Sequence, residues 1–104
     1  MAQKFIITQA GYFRLGDVSM HKDLLLSGDE CIGGGLYQFD YVNACLLLDG
    51  RSYDFGAPRW HFLEEEGICL KVPAAYRGLR IKYCYNNHYD EDYILAEHLK
   101  IEYV

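Results

Sequence analysis

The sequence predicts an α+β domain: one mainly β, mixed sheet with two short helices packed on its faces. Three observations lead there. Ten Tyr and five Phe in 104 residues favour sheet over a helical bundle. Several segments alternate apolar and polar residues with a period of two. Helix signals occur in only two places, around 17–26 and 58–67.

In chain order, Lys4 to Thr8 reads as a short strand, and Tyr12 to Leu15 extends it or forms a second. Asp17 or Ser19 is placed to cap a helical turn through His21 to Leu26. Gly33, Gly34 and Gly35 then read as a break before a strand in which Tyr37, Phe39 and Tyr41 alternate with Gln38 and Asp40. After a turn at Val42-Asn43-Ala44, Cys45 to Leu48 is an apolar strand ended by Asp49-Gly50, a strong turn signal. Pro58 suits the first turn of a helix whose buried face is Trp60, Phe62 and Leu63, running up to Gly67. Ile68 to Val72 follows as a strand. Leu79, Ile81, Tyr83 and Tyr85 alternate with Arg80, Lys82 and Cys84, and a last strand carries Leu99, Ile101 and Tyr103.

Length and composition bound the function. A chain of 104 residues has room for one core and one domain. With 51% hydrophobic and 24% charged residues it reads as an ordinary globule. A net charge of -5 argues against a nucleic-acid surface, which needs a basic footprint. No apolar run approaches membrane-spanning length, and Phe5-Ile6-Ile7 is too short for a secretory leader. Cys31, Cys45, Cys69 and Cys84 form no Cys-x-x-Cys pair, so a metal knuckle has little support; no cofactor is expected. They read as reduced thiols of a cytoplasmic protein.

Two features carry chemistry. Ser52-Tyr53-Asp54-Phe55-Gly56 follows a strand and precedes a helix, where backbone N–H groups can face an anion. The same pattern also fits an ordinary turn. His21, beside Lys22 and Asp23, is the histidine best placed for proton transfer, since imidazole titrates near neutral pH. It also fits a structural histidine. His61, His88 and His98 carry less weight. Asn86 to Asp92 lacks the order of a calcium loop and reads as a solvated loop, and Glu64-Glu65-Glu66 as an exposed helix face.

These pieces resemble the phosphohistidine phosphatase family, which includes the janus and ocnus proteins. The resemblance lies in Glu30-Cys31-Ile32-Gly33-Gly34-Gly35, then Gly50-x-Ser52-x-x-Phe55-Gly56 with Pro58 and His61 following. Met20-His21-Lys22-Asp23-Leu24 is similar to the segment that holds the family's active-site histidine, and Lys4 to its substrate-contacting lysine. The match is firmest over residues 30–56 and looser over 20–89; residues 90–104 form a C-terminal extension without a counterpart. The resemblance implies a single domain of that fold over residues 1–104. It also implies a metal-independent phosphatase of phosphohistidine or related phosphoramidates. His21 would be base or nucleophile, with Ser52, Tyr53, Asp54, Lys4 and Arg51 binding phosphate and Gly33, Gly34, Gly35 and Gly56 shaping the loops. The implied partner is a phosphorylated protein or a small phosphoramidate. Leu36 stands where the family has arginine, and Asp54 replaces a small residue. Both substitutions weaken anion affinity and speak for an alternative, a non-catalytic protein- or anion-binding module of the same fold.

Overall fold

The computed structural model describes residues 2–52, 55–56, 58–84, 93–97 and 99–104. The chain opens with an antiparallel hairpin of β1 (Ala2–Thr8) and β2 (Phe13–Val18), turned at Gly11, whose φ is 92°. A 3-10 turn (His21–Leu24) leads to β3 (Cys31–Asp40), which pairs antiparallel with β1 through its first half and with β4 (Cys45–Leu48) through its second. The chain then leaves this sheet. It forms α1 (Trp60–Glu65), β5 (Cys69–Val72) and a second 3-10 turn (Ala74–Tyr76) before returning as β6 (Arg80–Tyr83), parallel to β4. Two short strands finish it, β7 (Ile94–Leu95) on β6 and β8 (Lys100–Tyr103) parallel to β5.

The result is a mixed, mainly strand architecture: a six-stranded sheet ordered β2-β1-β3-β4-β6-β7 and a separate pair β5-β8. The single expected sheet is thus two. They meet where Tyr12 bridges Lys71 and the Lys71 amide donates to the Gly11 carbonyl at 2.8 Å. The core lies on one face of the large sheet. Phe5 and Ile7 of β1, Leu46 and Leu48 of β4, and Ile81 and Tyr83 of β6 are sealed there against Trp60, Leu63, Leu70 and Val72. Trp60 stacks on Tyr83 with ring centroids 4.6 Å apart.

Of the two expected helices, the described residues contain one α-helix, α1. It ends where Gly67 takes a φ of 64° and the Gly67 and Ile68 amides donate back to the Glu64 and Leu63 carbonyls, a Schellman closure. The helical turn expected through His21 to Leu26 is a 3-10 turn over His21–Leu24. Its N-cap is Met20, not Asp17 or Ser19, and the Asp23 carboxylate accepts from the Met20 amide at 3.0 Å. The expected break at Gly33–Gly35 is also absent: β3 runs unbroken through all three glycines. Tyr85 and the 86–92 segment lie outside the described residues, as does His98; the side chains of His61 and Phe62 are also not described.

Candidate functional site

Gly34 and Gly35 lie in mid-strand because the chain closes on them from both sides. Successive strand residues face opposite sides of a sheet. A methyl group on Gly34 would sit 3.1 Å from His21 Cδ2 and 2.7 Å from the Phe5 carbonyl oxygen. One on Gly35 would land 1.7 Å from the Asp49 carbonyl oxygen and 2.9 Å from the Phe5 ring. A glycine inside a strand marks this kind of close backbone approach. The segment is therefore a bare stretch of backbone, with the histidine on one face and the start of the 49–56 loop on the other.

His21 opens the 3-10 turn and is only 3% exposed. Its Nε2 lies 2.8 Å from the Gly35 carbonyl oxygen. A carbonyl only accepts, so Nε2 carries a proton, and in the neutral ring Nδ1 keeps its lone pair. Among the described residues nothing bonds Nδ1. The turn packs against β1 and β2. Lys4, on the same face of β1 as Ile6 and His21, donates through Nζ to the Val18 and Ser19 carbonyls at 3.1 and 2.8 Å. Lys4 thus fixes the end of β2 just before the histidine turn, and its ammonium is occupied by backbone.

The opposite loop is organised by a carboxylate. Asp49 is 4% exposed. Its Oδ1 accepts from the Leu36 and Arg51 amides, each at 3.0 Å, and its Oδ2 accepts from Arg51 Nε at 2.7 Å and pairs with Arg51 Nη2. The Asp49 amide in turn donates to the Leu36 carbonyl at 3.0 Å. Burial pushes the Tyr93 phenol up from its ordinary pKa, the Asp49 charge adding to that and Arg51 opposing it, which places Tyr93 near this pair. The loop closes on itself beyond Arg51: the Ser52 amide donates to the Gly50 carbonyl at 3.1 Å, and the Phe55 amide to Ser52 Oγ at 3.2 Å. Gly56, at a φ of 73°, returns the chain to β3, its carbonyl accepting from the Gly34 amide at 3.0 Å.

The structure therefore brings His21, Gly34, Gly35 and Gly56 together. Lys4 sits on the histidine face but bonds carbonyls, and Arg51 is held by Asp49. The amides of Arg51, Ser52 and Phe55 point into the loop rather than outward. Tyr53 and Asp54, the centre of the expected phosphate cradle, lie outside the described residues. Two clefts open elsewhere, one of about 530 Å³ lined by Gln9, Cys31, Ile32, Arg59, Glu66 and Ile68, the other of about 430 Å³ beside Gly28 to Glu30. No group of His, Cys, Asp and Glu among the described residues is arranged to hold a metal. No helix among them is long and apolar enough to cross a membrane.

Sequence reasoning missed Asp49, which reads as the first half of an Asp-Gly turn. The available signal was Arg51 two residues on, a spacing at which the guanidinium folds back onto the carboxylate. No protein-family model, curated protein or solved structure matches the chain.

Proposed function

We propose that this chain is a small, metal-independent phosphatase of phosphohistidine or related phosphoramidates. His21 acts as base or nucleophile, and the 52–56 loop, which returns to the strand edge where the Gly56 carbonyl accepts from the Gly34 amide, holds the phosphoryl group. The observation that carries the reading is the bond from His21 Nε2–H to the Gly35 carbonyl. It commits the ring to one tautomer and presents Nδ1 as the basic nitrogen, the arrangement in which an orienting acceptor prepares an imidazole for proton or phosphoryl transfer. The amides of 51, 52 and 55 are turned into the loop and are not part of the cradle in this reading. Phosphoryl transfer needs positioning and charge stabilisation more than covalent chemistry, so a few main-chain donors suffice. Four cysteines without a Cys-x-x-Cys pair suit a reducing cytoplasm.

A second reading, a non-catalytic protein- or anion-binding module, is favoured by one specific observation. Lys4 and Arg51, the cations assigned to phosphate, bond carbonyls and Asp49 instead.

Release of inorganic phosphate from a phosphohistidine peptide, with chelator present, separates the two. The phosphatase reading expects turnover by the wild type and its loss in His21→Gln, which can still donate toward Gly35, with the melting temperature of the variant checked alongside. Absence of turnover in the folded wild type leaves the binding module. Undiminished turnover in His21→Gln removes the histidine from the mechanism.

A further inference from the structure

We propose that Asp49 is a positioning residue for His21, acting through the one peptide group that joins Gly35 to Leu36. The N–H of that peptide, on Leu36, donates to Asp49 Oδ1 at 3.0 Å. Its C=O, on Gly35, accepts from His21 Nε2 at 2.8 Å. The carboxylate and the imidazole thus sit at the two ends of a single polarisable amide. A hydrogen bond to a charged acceptor is stronger than a neutral one, and drawing on the N–H makes the carbonyl a better acceptor. The direct carboxylate–imidazole contact familiar in acid–base sites is here relayed by a peptide bond.

The rest of the geometry holds the relay in register. The Asp49 amide bonds the Leu36 carbonyl, so Asp49 and Leu36 are tied by two hydrogen bonds. Arg51 takes Oδ2 and leaves Oδ1 to the amides. Gly34 and Gly35 are bare, so the imidazole reaches the strand from one face and the Asp49 backbone from the other. The consequence for turnover rests on the phosphatase reading above; the effect on the imidazole tautomer does not.

The test records the ring nitrogens of His21 by 15N NMR in the full chain, with turnover of a phosphohistidine peptide measured in parallel. The wild type is expected in the Nε2–H tautomer alone, and Asp49→Asn in a mixture of both. In Asp49→Asn, kcat should fall about 10–100-fold, by analogy with residues that orient metal-ligating histidines, while KM moves little. Arg51→Gln removes the ion pair but leaves Oδ1 on Leu36, so it should keep the wild-type tautomer. The proposal is overturned if Asp49→Asn keeps that tautomer. It is equally overturned if Arg51→Gln shifts the tautomer as far, since general loosening of the loop would then explain both. Should Asp49→Asn not fold, the other two proteins decide. A wild-type ring protonated on Nδ1, or a tautomer shifted in Arg51→Gln, sinks the relay. A wild type that keeps the tautomer but shows no turnover removes the phosphatase reading alone.

Discussion

The two halves of β3 solve opposite packing problems. Its first half, Gly33 to Gly35, has no side chains, and polar groups close on it: His21 from one face, the Asp49 backbone from the other, the Gly56 carbonyl along the edge. Its second half is crowded with rings. Phe39 stacks on Tyr41 and Tyr76 with centroids 5.5 and 5.7 Å away and meets Tyr37 edge-on at 5.6 Å. One half fills space with apolar area, the common use of a strand. The other gives up that area so that a buried imidazole and a buried carboxylate can share one peptide group. A fold loses packing energy at such a place, and sites are found where that loss is accepted.

The difference can be measured by substitution. Adding a methyl group to the bare half should do the most damage. Gly35→Ala puts Cβ into the Asp49 carbonyl, backbone of a residue whose amide is tied to Leu36, and is expected to destabilise by about 3 kcal/mol or more in denaturant melts. A loss below about 1 kcal/mol would mean the loop does not press on the strand. Removing a ring from the crowded half should cost less. Phe39→Ala loses three ring contacts but is only half-buried, so about 2 kcal/mol is expected. Tyr41, 81% exposed, should tolerate Ala within about 0.5 kcal/mol. A larger loss at Tyr41 than at Phe39 would reverse the assignment of which ring is structural.

The smallest effect is electrostatic. The Arg14 guanidinium, bonded to Asp29, holds that carboxyl below its ordinary range, helped by the Leu26 amide at 2.8 Å. Because the folded value is lowered, the stabilisation is present above the ordinary carboxylate range and is lost as pH falls through the folded value. Melts run from neutral to strongly acid pH should lose stability more gently in Arg14→Gln than in the wild type. Identical acid limbs would show that the pair contributes nothing.

Much of this architecture was legible in the sequence where signals are local. Cys45 to Leu48 is an uninterrupted apolar run between two turns, and the strand forms over those four residues. The alternation through Arg80 to Tyr83 and Lys100 to Tyr103 likewise placed β6 and β8. What failed was non-local. Glycine in isolation signals a break, and only the arrival of His21 and Asp49 explains why Gly34 and Gly35 sit inside a strand. The parallel pairing of Cys69–Val72 with Lys100–Tyr103 joins segments too distant in sequence for periodicity to connect them, so the second sheet was invisible. At the site, Lys22 and Asp23 drew attention to His21, but its burial and its bond to the Gly35 carbonyl were not legible in the sequence. Nor was the role of Asp49, because a turn aspartate and a buried carboxylate that organises a loop look alike until Leu36 is placed beside them.

One measurement bears on all of this: proton–proton NOEs at the Gly34–Gly35 segment of the folded protein in solution. The account predicts a cross-peak between the His21 ring proton on Cδ2 and the Gly34 α-protons, together with one between the Gly35 α-protons and the Phe5 ring. A spectrum in which the His21 ring contacts neither glycine, while the rest of β3 keeps its pairing with β1, would contradict it.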